Sequence, residues 1–264
     1  MDCLEGMGKI DDNSIDLIVT SPPYNANKEY GVYDDSKELE EWLSLIESFL
    51  KQSYRIISDR SRVCVNLPWV MLKKPQRFIP HIVATCGEKI GYYIRDWVIW
   101  DKGVAPSTAW GSWLSPSGPV IRARYEPIII FQKGIGGKKR IDGTGRGRCV
   151  KGDLTSKEFL EYTENVWQVR GRKQDAHPAM FPEEIPKRLI QLYTWKGDVI
   201  LDQFLGSGTT TVVAKRLQRK YIGFDINPEY VDIANKQLEQ TTLNEVKVGI
   251  PPSPKDEGIL PTFL

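Results

Sequence analysis

The regular pattern of the chain opens with a short apolar run, Ile15–Thr20 (IDLIVT), that stops at Ser21-Pro22-Pro23-Tyr24. Such a run, ended by a proline turn, predicts a buried strand. Over 36–57 the apolar side chains fall at Leu39, Trp42, Leu43, Ile46, Phe49 and Leu50. Spacings of three and four put them on one stripe of a helix, and Asp35 with Glu38 predicts a capping box at its start. Further apolar runs predict strands at 62–67 (RVCVNL), 95–100 (RDWVIW), 127–132 (PIIIFQ), 199–204 (VILDQF) and 221–226 (YIGFDI). Helices are expected at about 182–195, 209–219 and 228–240, the last with Asn227 as N-cap and Pro228 at its first position. Apolar strands alternating with amphipathic helices predict an α/β fold, doubly wound around a mostly parallel sheet. There is no internal repeat. From Asn244 onward, Pro251, Pro252, Pro254 and Pro261 predict an irregular tail.

The length of 264 residues allows one large α/β domain or two small ones. Apolar residues at 41% and charged residues at 27% are globular values and exclude wholesale disorder. No apolar run is long enough to span a membrane, and the acidic start MDCLEGMGKIDDN lacks a signal core, so a cytoplasmic location is expected. Cys3, Cys64, Cys86 and Cys149 are scattered without a CxxC pair, which argues for a reducing compartment and against a cysteine-based zinc site. His81 and His177 are too few and too far apart for His-rich metal chemistry, and no metal is expected.

The net charge of +2 hides an uneven distribution. Residues 1–60 hold 13 acids and 6 bases. The stretch Lys133–Lys151 (KGIGGKKRIDGTGRGRCVK) carries Lys138, Lys139, Arg140, Arg146 and Arg148 among six glycines. It can be a solvated loop, or it can follow a phosphate backbone, since glycine permits close approach and Lys/Arg displace counterions. A second long connection, 103–124, holds Trp110 and Trp113, and reads equally as a packing cluster or a substrate-contacting loop.

Three segments carry candidate chemistry. In Asp202-Gln203-Phe204-Leu205-Gly206-Ser207-Gly208-Thr209-Thr210 a predicted strand turns through glycines into a predicted helix. Glycines there let a ligand approach the backbone, and a helix start offers free N–H groups. Asp225, ending the next predicted strand, can accept two hydrogen bonds from ribose hydroxyls. Thr211 stands where a dinucleotide fingerprint needs glycine, and no GxxxxGK[ST] exists, so the segment indicates a nucleoside-containing ligand without a P-loop. In Ser21-Pro22-Pro23-Tyr24 two prolines remove backbone donors, leaving carbonyls, a hydroxyl and an aromatic face that can hold an exocyclic amine and stack its ring. The third segment is His177-Pro178-Ala179-Met180-Phe181-Pro182, which taken alone is an ordinary loop.

In this order the segments resemble the S-adenosylmethionine-dependent DNA amino-methyltransferases in the permuted arrangement called the beta class, where the catalytic half precedes the cofactor half. The resemblance covers nearly all of residues 1–240. It implies a circularly permuted, Rossmann-like, seven-stranded methyltransferase fold with S-adenosyl-L-methionine as cofactor. It divides the chain into a catalytic half over 1–133, a small basic target-recognition insertion at about 134–175, a cofactor half over 176–243 and a tail over 244–264. It implies cofactor contacts at Asp202, Phe204, Gly206, Ser207, Gly208, Thr209 and Asp225, at His177, Pro178, Ala179 and Phe181, and at Asp2 and Cys3 beside the adenine. Ser21 and the Pro22 carbonyl would accept hydrogen bonds from the target amine, with Pro23 shaping the turn and Tyr24 stacking on a flipped base. Lys138, Lys139, Arg140, Arg146, Arg148, Trp110 and Trp113 would face double-stranded DNA. The resemblance admits a homodimer, a cognate restriction endonuclease and association with the nucleoid. The family usually has Pro where Gln203 stands, and residues ahead of the DCLE segment, whereas this chain starts at Met1-Asp2. Within the family, Ser before Pro-Pro-Tyr is typical of N4-cytosine enzymes and Asp of N6-adenine enzymes, so cytosine is the expected target and adenine the alternative. Methylation of RNA or protein fits the motif order less well.

Overall fold

The apolar runs become strands of one sheet because each is flanked by amphipathic segments that cover it. The fold is described by a computed structural model, over residues 1–25, 32–71, 77–103, 111–138, 151–170 and 182–247. In chain order the elements are α1 (Cys3–Gly8), β1 (Ile15–Thr20), α2 (Leu39–Ile56), β2 (Ile57–Asn66), β3 (Val70–Met71), β4 (Arg77–Phe78), α3 (Ile79–Ile90), β5 (Tyr93–Asp101) and β6 (Tyr125–Gln132). There follow α4 (Ser156–Tyr162), β7 (Val166–Gln168), α5 (Glu184–Tyr193), β8 (Val199–Asp202), α6 (Thr209–Arg216), β9 (Lys220–Gly223) and α7 (Pro228–Lys247).

Seven strands form one sheet in the order β7-β5-β6-β2-β1-β8-β9, and β3 with β4 makes a separate hairpin. β1 pairs parallel with β2 and β8, β8 with β9, and β5 with β7, while among the described strands of this sheet β6 alone runs antiparallel, between β2 and β5. Strand alternation feeds two cores. Ile18, Val63, Val65, Phe131 and Leu201 point to the face covered by α2 and α3, where Trp42, Ile46, Phe49 and Val83 are buried. Leu17, Val19, Cys64, Ile130 and Ile200 point to the other face, under Ile185, Leu189 and Ile190 of α5 and Val213 of α6. This is the doubly wound α/β arrangement expected from the pattern.

Several local expectations need correction. Asp35 does not cap α2; it is buried and accepts the Asn25 N–H at 2.8 Å, and Glu38 at the N-cap makes no side-chain cap bond. The strand expected over 199–204 stops at Asp202, and the one over 221–226 stops at Gly223, so Asp225 lies in the turn beyond β9. α7 runs on to Lys247, past the point where the proline-rich tail was expected to begin. Its Asn227 cap is present, with Oδ1 accepting the Glu229 N–H at 3.0 Å. The helices α1, α3 and α4, the hairpin β3–β4 and the short β7 had no sequence prediction.

Candidate active site

Because β6 is the reversed strand, the carboxyl ends of β1, β2, β5, β8 and the amino end of β6 meet on one edge of the sheet. Clefts outside the carboxyl ends of strands are where open α/β sheets bind ligands. Ser21-Pro22-Pro23-Tyr24 leaves the end of β1 there and is held from several sides. The indole Nε1 of the fully buried Trp42 donates to the Pro23 carbonyl at 2.7 Å. Asn25, at φ +51°, donates its N–H to Asp35 and its Nδ2 to the Lys37 carbonyl at 2.7 Å. The Pro23 carbonyl is thus in use within the fold, and the turn is tied to α2 and to the segment just ahead of it.

Next to β1, β8 ends at Asp202, whose Oδ1 accepts the Thr20 hydroxyl at 2.8 Å and the Phe204 N–H at 3.2 Å. Burial raises its carboxyl pKa to about 6, against the lowering effect of the hydrogen bonds from Thr20 and the Phe204 N–H. The following turn passes through Gly206 and Gly208, both at positive φ, into α6. Asp225 fixes this turn by accepting the Gly206 N–H at 2.8 Å and the Asn227 N–H at 2.8 Å. The phenyl ring of Phe204 packs edge-on against Phe49, with centroids 5.5 Å apart. Together these segments line one open cleft. One wall carries Ser21, Pro22, Pro23 and Tyr24, and the other carries Asp202, Phe204, Gly206, Ser207, Thr209 and Asp225. Asp2 and Cys3 line the cleft as well. Asp2 also caps α1 by accepting the Leu4 N–H at 2.9 Å, and burial pushes the Cys3 thiol up to about 12, so it stays neutral. Tyr33, Leu45, Ile226 and Tyr230 line the same cleft and were not singled out in the sequence. Ile226 and Tyr230, flanking an N-cap, gave only helix-start signals.

Residues 15–236 match the family model of the DNA methylases, the N6/N4 amino-methyltransferases. The chain belongs to this family. Its members take their methyl group from S-adenosylmethionine. The chain is 28% identical over 245 residues to the type II methyltransferase M.HpaI of Haemophilus parainfluenzae, covering 89% of this chain and 72% of that protein. Its fold is similar to that of the Thermus thermophilus protein TTHA0409, solved in complex with S-adenosyl-L-methionine, at a TM-score of 0.69 and 23% identity, over 91% of both chains. It is equally similar to the PvuII cytosine-N4-specific DNA methyltransferase, at a TM-score of 0.68 and 22% identity, covering 94% of this chain and 91% of that one.

In this DNA methylase a polar cluster on β2, β6 and the residue after β5 adjoins Ser21 and Tyr24. The Tyr24 hydroxyl donates to Glu126 Oε2 at 2.7 Å and accepts from Ser21 Oγ at 3.1 Å and Asn66 Nδ2 at 2.6 Å. Asn66 Nδ2 also donates to Glu126 Oε2 at 2.8 Å, and Lys102 Nζ pairs with the other carboxylate oxygen. The sequence signal for this cluster was faint: polar residues at the ends of three apolar strands.

Other expected site residues fall elsewhere. The connection 103–124 joins the carboxyl end of β5 to the amino end of β6 and so emerges beside Ser21. Its described part folds back on itself through an antiparallel bridge between Gly111 and Pro119, with Trp113 74% and Leu114 90% exposed. Lys138 is not brought to this edge. It pairs with Asp16 at the start of β1, and Asp16 also accepts the Val199 N–H at the start of β8. Asp153 binds Arg219, just before β9, at 2.6 Å. The described residues on either side of 139–150 are therefore both anchored at the opposite edge of the sheet. Lys139, Arg140, Arg146, Arg148, Trp110, His177, Pro178, Ala179 and Phe181 lie outside the described residues.

Proposed function

We propose that this chain is a site-specific DNA methyltransferase acting on the exocyclic N4 amine of a cytosine flipped out of the duplex. The observation that supports it most is the meeting of Ser21-Pro22-Pro23-Tyr24 with Asp202, Gly206 and Asp225 across one cleft. The cleft fits S-adenosylmethionine chemically: two carboxylates suit a cationic ligand carrying ribose hydroxyls, and apolar walls suit its adenine. Bound there, the cofactor supplies a sulfonium methyl group open to in-line attack.

The chain's own residues prepare the amine. A cytosine amine is a poor nucleophile because its lone pair is delocalised into the ring. Ser21 Oγ and the Pro22 carbonyl accept its N–H bonds, favour a tetrahedral nitrogen and free the lone pair. Tyr24 offers the stacking face that offsets the few kcal/mol of extrusion from the helix. Positioning and exclusion of water supply most of the acceleration. No covalent cysteine adduct is needed, and Cys64, buried among apolar side chains, is held well above the usual thiol range. Ser rather than Asp before Pro-Pro-Tyr favours cytosine over adenine. Residues 1–133 and 176–243 act as catalytic and cofactor halves of one domain, and the hairpin around Trp113, rather than Lys138, faces the DNA.

The test is methyl transfer from labelled S-adenosylmethionine to mixed-sequence duplex DNA, with the digested nucleosides identified by mass. N4-methylcytosine is expected. N6-methyladenine would overturn the base assignment and keep the chemistry, and absence of label in DNA with label in RNA would overturn the substrate.

A further inference from the structure

A serine can accept a hydrogen bond from an amine only if its own proton is directed elsewhere. The cluster beside the cleft decides this by donor and acceptor identity. Glu126 carboxylate oxygens only accept, and Lys102 Nζ only donates. The Asn66 group 2.8 Å from Glu126 Oε2 must therefore be its NH₂, which donates to the Tyr24 hydroxyl as well. With Glu126 Oε2 at 2.7 Å, the Tyr24 proton points at the carboxylate. The Tyr24 oxygen is then left as an acceptor for Asn66 Nδ2 and Ser21 Oγ. Ser21 spends its proton on Tyr24, and its lone pairs face the cleft.

We infer that Glu126 is a positioning residue which, through Tyr24, fixes Ser21 as the hydrogen-bond acceptor for the target amine. The inference rests on the amino-methyltransferase reading above. Glu126 does not touch the substrate. It sets the polarity of a chain of hydrogen bonds and, by the same bond, the plane of the Tyr24 ring. Asn66 and Lys102 hold it in place, each at the edge where its strand ends.

Glu126→Gln keeps the shape and reverses the polarity. Lys102 retains the amide oxygen, so the amide NH₂ faces Tyr24, the Tyr24 proton turns to Ser21, and Ser21 donates into the cleft. The expected result is a fall in kcat of about 10²-fold with the KM for S-adenosylmethionine within twofold of wild type. Tyr24→Phe keeps the ring and deletes the relay, and should lower kcat to a similar degree with the Glu126–Lys102 pair intact. Adding Glu126→Gln to Tyr24→Phe should cost less than threefold more, because the link is already cut. Wild-type kcat in either single variant would overturn the inference, as would two losses that multiply in the double variant, which is the behaviour of a purely structural role. Wild-type transfer to DNA is the control: failure there sinks the methyltransferase reading itself, whereas wild-type activity with an active Glu126→Gln sinks only the role of Glu126.

Discussion

Asp202 is a carboxyl group with almost no water around it, and that fixes how it responds to pH. Its pKa is raised to about 6 by burial. A raised carboxyl pKa means that its contribution to stability is present below its unfolded value of ~3.9 and is lost as pH rises through about 6. A cation in the cleft has the opposite preference and draws the group into its ionised form. Affinity for S-adenosylmethionine is therefore expected to rise by up to about tenfold per unit between pH 5 and 6 and to level off above. Asp202→Asn, which keeps the size and the Thr20 contact, should flatten that rise and lower affinity at pH 8. Calorimetric titration across pH 5–8 checks it, and a flat wild-type profile would place the cofactor's positive charge away from Asp202. Trp42 makes a second claim at this scale. Trp42→Phe keeps an aromatic ring in the core and removes the 2.7 Å bond to the Pro23 carbonyl. A loss of about 1–2 kcal/mol in denaturant unfolding is expected, with a larger loss in kcat than in cofactor affinity, because the Ser21–Tyr24 turn loosens and the Asp202–Thr209 turn does not.

At the scale of elements, the turn from β8 into α6 depends on a glycine for two independent reasons. Gly208 sits at φ +86°, and a Cβ there would come within 2.6 Å of the Ala234 Cβ on α7. Gly208→Ala should cost about 2–3 kcal/mol and weaken cofactor binding, since Ser207 and Thr209 line the cleft. Thermal unfolding and cofactor titration of the variant measure both, and wild-type values would show that α7 yields without moving the turn. This turn was legible in the sequence because its glycines follow an apolar strand, and the α2 stripe was legible because its period is regular. What periodicity could not carry was any partner distant in the chain. Asp35 reads as a cap just ahead of a helix, yet the buried Asn25 N–H claims it. Trp42 reads as core, and only its 2.7 Å contact with Pro23 shows that it also holds the Ser21–Tyr24 turn. β7 spans Val166–Gln168, too few residues to show alternation, and forms because the outer side of β5 offers it a ladder. Glu126 and Lys102 look like ordinary strand-end charges until the antiparallel pairing of β5 and β6 sets them side by side.

Across the whole molecule the sheet has two edges with different charges to manage. The carboxyl edge gathers Ser21, Asn66, Lys102, Glu126 and Asp202, and sends out the segment that carries Trp113 and Arg122, while Arg124 pairs with Asp101 at 2.6 Å. The amino edge holds the Lys138–Asp16 and Arg219–Asp153 pairs, so the Lys138 charge that sequence reading assigns to DNA is there committed to the fold. A duplex that delivers a flipped base to Tyr24 must lie along the carboxyl edge. Phosphate contacts announce themselves in the salt dependence of binding, each adding about 0.9 to the slope of log K against log salt. Arg122→Ala is expected to flatten that slope by about 1, and Trp113→Ala to weaken binding while leaving the slope as it was. Lys138→Ala should leave both affinity and slope unchanged and instead lower stability by about 1–2 kcal/mol, because Asp16 loses its counter-charge in a half-buried position. Binding isotherms for the three variants at several salt concentrations, alongside their melting curves, separate the two edges. A slope flattened by Lys138→Ala and untouched by Arg122→Ala would put the DNA on the amino edge, at the end of the strands away from Tyr24, and the assignment of the DNA-facing surface would fail with it.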